Sequence, residues 1–357
     1  MTTILLNPGP VNVSARVRQA LAGPDICHRE PEFFDLQDAI RVRLLDAFDI
    51  AADYAPVLLT GSGTAMVEAM IASSIPEGGR LLVVQNGVYG ERIARMARAH
   101  AIHCDIVSGS VVERPDLELI DTRLRGERYS ALAIVHHETT TGLLNDLEPI
   151  AAICRDRGAR LLVDAVSGLG GEAFDFARWM PHAIACTANK CVQGLPGVSF
   201  ALIRKDFVPE MARFPERTVY LHLPRHLEEQ EKRSTPFTPA IQAAYALRAA
   251  LDELCEETVA ARIVRYARAS SVVRRGLTNL GLQLLLPPAV RSNTLTSIHL
   301  PPGIEYSQLH DALKRSGFVI YAGQGPLASS IFRVATMGDV GEGEYRRFVA
   351  TLGAIVS

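Results

Sequence analysis

The chain has 357 residues, 48% apolar and 21% charged, the balance of an ordinary folded protein long enough for more than one core. Lys and Arg number 37 and Asp and Glu 39, so there is no basic excess to hold nucleic acid and no polybasic run to hold a membrane surface. No apolar run reaches membrane-span length, and the first residues lack a basic and apolar leader, so neither a span nor a signal peptide is expected.

From residue 56 to 205, short apolar runs alternate with helical patterns. Residues 57–60 read as a strand, 61–64 as a tight turn and 65–74 as a helix. A strand at 81–84 precedes a charged amphipathic helix at 89–100. Further strands are expected at 106–107, 132–135, 161–163, 184–186 and 198–203, with helical patterns at 116–124 and 147–157. This alternation predicts an α/β layer with a mostly parallel, buried sheet between helices. Residues 209–238, rich in Pro and Arg, read as irregular, and 241–280 as one long helical stretch. The tail reads strand 295–300, helix 307–316, strand 318–321, strand 331–335 and helix 342–356, enough for a smaller α+β domain. The division is placed at 1–250 for an N-terminal arm and large domain, and 251–357 for the small one. Cys27, Cys104, Cys154, Cys186, Cys191 and Cys255 form no CxxC pair, which predicts a reducing, cytoplasmic setting without disulfides and without a metal site.

Polar residues close several of the apolar strands. Asp164 ends the 161–163 run, where a parallel sheet presents its ligand crevice. Lys190 lies 26 residues further on, after the next strand, with Gly194 and Gly197 behind it. The turn Gly61-Ser62-Gly63-Thr64 opens a helix and offers N–H donors suited to a phosphate. The segment His136-His137-Glu138-Thr139-Thr140-Thr141-Gly142 follows another strand. Singly, each has a plainer reading: a turn-capping aspartate, a surface lysine, an ordinary glycine turn, a polar loop. Together they supply a phosphate cradle, an acid for a ring nitrogen and an amine for an aldehyde, the set that pyridoxal 5'-phosphate (PLP) requires.

The stretches LLNPGPVNVS, LLTGSGTAMVEAM, NGVYGER, VHHETTTG, LLVDAVSGLGG, TANKCVQGLPGVSF, PFTP, GFVIYAGQG and IFRVATMG resemble, in order and over nearly the whole chain, the class V aminotransferases of PLP fold type I. The resemblance implies a large domain with a mostly parallel sheet sandwiched by helices, a smaller C-terminal α+β domain, and a homodimer with shared active sites. It implies Lys190 as the Schiff-base lysine and Asp164 as partner of the pyridine nitrogen. Ser62, Gly63 and Thr64 become the phosphate cradle, Tyr89 the residue stacked on the ring, Val166 its packing on the opposite face, Thr139 a hydroxyl beside it and Asn189 a residue near the phosphate. Thr238 would reach the phosphate of the neighbouring subunit; Thr235, where some relatives carry tyrosine, receives no role. Arg333 would grip the acidic group of the substrate, with an internal carboxylate such as Asp339 as its alternative partner. Arg29 reads either as a second anion handle or as a salt-bridge arginine leading a helix. The ETTTG, ANKCVQG and GFVIYAGQG wordings favour a branch of the family that takes an aminophosphonate, with alanine–glyoxylate or serine–pyruvate transfer as the alternative. A PLP-dependent lyase or desulfurase ranks lower, because no cysteine falls in an evident flexible loop. A binding protein would not need both Lys190 and Asp164.

Overall fold

Seven strands form the central sheet in the computed structural model, which describes residues 3–356. In spatial order they are Tyr54–Thr60, Val198–Arg204, Ala183–Thr187, Arg160–Asp164, Ala131–Val135, Arg80–Gln85 and His103–Ser108. Val198–Arg204 runs antiparallel to both of its neighbours; the pairs beyond it are parallel. The expected mostly parallel sheet is therefore present with one reversed strand.

Successive side chains of a strand face opposite ways, and each face of this sheet meets its own apolar core. Leu82, Val84, Leu132 and Ile134 enter one core, while Leu81, Val83, Ala131 and Ala133 enter the other. Burial on both faces explains why these strands read as unbroken apolar runs. The parallel strands end along one edge, so residues far apart in sequence meet there.

A three-stranded antiparallel sheet, Leu295–His299, Ile331–Ala335 and Tyr321–Ala322, forms the C-terminal part. Its core contains Phe318, Phe332, Phe348 and Leu352, and also Ile4 and Leu6 from the start of the chain. Strand Ile4–Leu5 pairs with Phe318–Val319. The expected single strand at 318–321 is thus two short pieces with different partners, Phe318–Val319 and Tyr321–Ala322.

Other elements also differ from expectation. The long helical stretch is two helices, Ile241–Glu257 and Val259–Asn279. They are separated at Thr258, whose φ of 71° ends one helix and whose side chain accepts from Ala261 N to cap the next. The irregular segment contains helix Leu223–Glu231, begun with a proline in its first turn and burying Leu223, His226, Leu227 and Gln230. Helix Pro31–Phe48 received no bounds in the sequence reading, which had only Arg29 leading a helix; it buries Phe33, Gln37, Ile40 and Leu44 at helical spacing. No helix among the described residues is long and apolar enough to cross a membrane.

Helix Val259–Asn279 packs against the C-terminal helix Glu342–Val356 at Gly276, where a Cβ would stand 2.5 Å from Val349 Cγ1. Gly276→Ala therefore tests two opposed effects. Helix propensity favours alanine by about 1 kcal/mol, whereas overpacking costs about 1–3 kcal/mol. We expect net destabilisation in urea unfolding; a more stable variant would show that the two helices part easily.

Candidate active site

The loops at the C-terminal edge of the sheet bring most of the sequence-predicted residues together. Gly63, Thr64, Tyr89, Asp164 and Val166 line one cleft, joined by Arg92. Helix Gly63–Ser73 starts there with Ser62 as its cap, the Ser62 hydroxyl accepting from Ala65 N at 3.3 Å. Gly63 has no room for a side chain: a Cβ would lie 2.9 Å from Val166 Cγ1 and 3.1 Å from Thr187 Cβ. The helix N-terminus thereby packs directly against the segment that follows Asp164.

Asp164 is 6% exposed and accepts from Val166 N at 3.0 Å. Burial pushes its carboxyl up to about 6, and the Val166 N–H and the charges of Lys190 and Arg92 oppose that rise. Lys190 follows strand Ala183–Thr187, and burial lowers its ammonium to about 8. Its Nζ donates to the Pro8 carbonyl. Gly9, at φ +102°, lies so close that a Cβ would come within 2.5 Å of Lys190 Cδ. The N-terminal Pro8-Gly9 segment thus covers the lysine, a contact the motif match alone did not reveal. Asn189 is next to it, its Oδ1 accepting from Thr187 Oγ1 at 2.8 Å.

Glu138, fully buried, organises the neighbouring loop. Helix Val88–Ala99 starts at Gly87, which has no side chain to cap it. Glu138 Oε2 instead accepts from Tyr89 N and Gly90 N at 3.3 and 3.4 Å, and Thr140 Oγ1 accepts from Val88 N at 3.0 Å. Glu138 Oε1 accepts from Thr140 N and Thr140 Oγ1 at 3.0 and 2.6 Å. A Cβ on Gly87 would stand 2.2 Å from Glu138 Cδ, so the glycine admits this cross-loop cap. Burial pushes the Glu138 carboxyl up, and these four donors pull it back.

Between Glu138 and Thr140, the Thr139 carbonyl accepts from Arg333 Nη1 at 2.5 Å. Arg333 Nε donates to Ala322 O at 2.7 Å, Nη1 also to Gln324 Oε1 at 3.1 Å, and the guanidinium sits 5.9 Å from the Tyr321 ring centroid. Arg333 is 2% exposed and every hydrogen-bond acceptor on it is neutral. Asp339, the alternative partner, forms no ion pair with it; the Asp339 backbone N–H donates to Asn12 O. The Glu138 charge reaches it only at longer range; a buried guanidinium without an ion-paired carboxylate is costly, and an anionic ligand would meet that need.

Thr238 is exposed and lies outside this cleft, in a hollow shared with Thr60, Tyr220 and Phe237. Thr235 is buried and donates to Phe237 O at 3.0 Å. Arg29 is exposed ahead of helix Pro31–Phe48, and among the described residues its side chain makes no ion pair. Arg92, Glu138 and Pro8-Gly9 are the site-forming residues that the sequence reading did not assign. The spacing of Tyr89 and Arg92 on one helical face was a usable signal for Arg92; the cap by Glu138 had none, because it joins separate strands.

The chain belongs to the class-V aminotransferase family, whose pattern matches residues 28–338. It is similar to the 2-aminoethylphosphonate–pyruvate transaminase of Aeromonas hydrophila, 36% identical and covering 94% of this chain and 90% of that one. It is also similar to the enzyme of that name from Syntrophobacter fumaroxidans, 35% identical over 97% of this chain and 94% of that one. Among solved structures it resembles the alanine–glyoxylate aminotransferase of Nostoc sp., with a TM-score of 0.92 and 27% identity over 100% of this chain and 96% of the other. The subgroup IV aspartate aminotransferase of Thermus thermophilus gives a TM-score of 0.90 and 27% identity, over 99% of each chain.

The protein is thus a PLP-dependent transaminase of fold type I. The residues present fit the cofactor. The cleft presents a helix N-terminus suited to the phosphate and a buried carboxyl suited to the ring nitrogen, and Lys190, an amine with a lowered pKa suited to the aldehyde, lies near enough for its charge to act on Asp164. In the adjoining Glu138–Thr140 loop the Thr139 hydroxyl is buried without a hydrogen-bond partner, a group that a ligand would satisfy.

Two outcomes are expected. Glu138→Gln replaces an acceptor-only carboxylate with an amide whose NH2 must face N–H donors, and should cost about 1–3 kcal/mol of stability. An unchanged urea midpoint would show that the cap contributes nothing. An amine attacks an aldehyde in its neutral form, so capture of the cofactor at Lys190 should accelerate as pH rises through about 8. Stopped-flow absorbance from pH 6.5 to 10.5 reads that midpoint; a rise centred near the ordinary lysine value would contradict the burial effect.

Proposed function

We propose that the protein transfers the amino group of 2-aminoethylphosphonate to pyruvate, giving phosphonoacetaldehyde and L-alanine. The observation that carries this reading is Arg333, buried on a rigid strand without a carboxylate and hydrogen-bonded to the Thr139 loop of the cofactor cleft. The names of the relatives at 35–36% identity support the phosphonate donor. Transfer between alanine and glyoxylate is the second reading, supported by the likeness to the Nostoc enzyme.

When bound, PLP supplies an aldehyde and an electron-accepting ring. In this reading Lys190 Nζ would be the amine that holds the aldehyde. Its neutral form, favoured by the lowered pKa, would also be the base able to hold and release a proton beside the donor's amino-bearing carbon. Asp164 would hold a proton on the ring nitrogen, whose positive charge would offset the burial that otherwise raises the carboxyl's own pKa. Tyr89 and Val166 would cover the two ring faces, Ser62, Gly63 and Thr64 would hold the phosphate, and Asn189 would lie near it. The Thr139 hydroxyl meets the ring substituent. Arg333 fixes the donor's anion and hence the carbon that loses the proton.

We further propose a homodimer in which Thr238 reaches the partner's cofactor phosphate. Thr238 is exposed on one chain, beside the exposed apolar Val219 and Tyr220, a surface that a second copy would cover. The six free cysteines, three of them buried, suit the reducing conditions of the cytoplasm.

Arg333→Lys tests the substrate assignment. Lysine keeps the charge but loses the planar fork of donors, so kcat/KM for 2-aminoethylphosphonate should fall by about 1–3 kcal/mol of transition-state stabilisation. Unchanged efficiency would remove Arg333 from substrate binding. A wild-type preference for alanine or serine as donor would favour the second reading.

A further inference from the structure

Arg92 stands in the cofactor cleft without a counter-ion. It lies one helical turn beyond Tyr89 on helix Val88–Ala99, and its guanidinium carbon sits 4.7 Å from the Tyr89 ring centroid. Its Nη1 donates to Thr64 Oγ1 at 3.2 Å, at the N-terminus of helix Gly63–Ser73. Among the described residues no carboxylate lies within ion-pair distance of it. Its charge nevertheless reaches the centre of the site, lowering the pKa of both Asp164 and Lys190.

We propose that Arg92 binds the phosphate monoester of the cofactor, as the cationic member of a cradle otherwise built from neutral donors. A phosphate monoester carries close to two negative charges at neutral pH. Ser62, Thr64 and the helix N-terminus offer N–H and O–H groups but no full positive charge. The cations whose fields reach the crevice are Lys190, Arg92 and Arg333. Lys190 Nζ is committed to the aldehyde. Arg333 is held by the Ala322 and Thr139 carbonyls, where the donor's anion is proposed to bind. Arg92 is left, already hydrogen-bonded to the cradle threonine. A guanidinium offers paired N–H donors to a tetrahedral oxyanion, and the Tyr89 ring beneath it restricts where that fork can go. The inference rests on the PLP assignment and is independent of which amine is the donor.

The same oxyanion chemistry is present in the donor's phosphonate, so the test separates the two sources. Apoprotein of wild type, Arg92→Gln and Arg92→Lys is titrated with PLP and with pyridoxal, which lacks the phosphate, following the visible absorbance of the bound cofactor. The expected result for Arg92→Gln is a Kd for PLP raised about 10- to 100-fold, the scale of a lost charged hydrogen bond. The Kd for pyridoxal should stay within about twofold, since the missing contact is to a group pyridoxal does not carry. Arg92→Lys should fall between the two, because the charge survives and the fork does not; it also serves as the reading if the glutamine variant fails to fold. An unchanged Kd for PLP overturns the proposal. Equal weakening of PLP and pyridoxal overturns it in favour of a packing role beneath Tyr89. Unchanged PLP binding with a raised KM for 2-aminoethylphosphonate but not for alanine overturns it in favour of a contact to the substrate anion.

Discussion

The buried Glu138 carboxylate is the constraint from which the geometry of the site follows. It accepts only from donors: the backbone N–H groups of Tyr89 and Gly90 on one side, and the N–H and hydroxyl of Thr140 on the other. A carboxylate has acceptor sites for all of these and no proton to place against them. The negative charge also sits at the N-terminal, positive end of helix Val88–Ala99. The start of the helix that carries Tyr89 and Arg92 is therefore fixed to a loop from a different strand. The next residue of that loop, Thr139, holds Arg333 through its carbonyl. One turn of chain thus sets the ring-facing helix and the C-terminal sheet relative to each other.

Close backbone approach makes that arrangement affordable. Gly87 leaves room for Glu138, Gly63 for Val166 and Thr187, and Gly9 for the Lys190 stem. Each missing side chain lets a polar or catalytic group enter a place that a methyl would fill. The result is a crevice where ionisable groups lie away from water, which explains the opposed shifts at its centre. Burial raises Asp164 and lowers Lys190 for the same reason, because each loses hydration in its charged form. A cofactor with a protonated ring nitrogen and a dianionic phosphate would return counter-charges to Asp164 and Arg92.

Much of the large domain was legible in the sequence because its strands are buried on both faces. Runs such as Ala131–Val135 are apolar throughout, and the polar residues that close them mark the crevice edge. The placement of Asp164 and Lys190 at the crevice edge was visible because each follows such a run. The helix Leu223–Glu231 was hidden by its polar surface and by the buried polar residues His226 and Gln230, which occupy positions where an apolar stripe is expected. Helix Pro31–Phe48 was hidden in the same way by Gln37, whose Nε2 donates to Ser234 O at 3.1 Å. The cover over Lys190 and the cap by Glu138 were illegible for a different reason. Each joins residues that only the tertiary fold makes neighbours, 182 positions apart for Pro8 and Lys190.

The protein is a transaminase, and Arg333 is proposed to face a phosphonate donor. The most direct measurement mixes cofactor-loaded protein with 2-aminoethylphosphonate alone, without a keto acid, and follows the visible band together with the aldehyde released. The account predicts loss of the aldehyde form of the cofactor and release of about one phosphonoacetaldehyde per site, since a ping-pong half-reaction stops after one transfer. Alanine or serine should act more slowly at equal concentration. A spectrum unchanged by 2-aminoethylphosphonate but rapidly bleached by alanine or serine would contradict the phosphonate assignment.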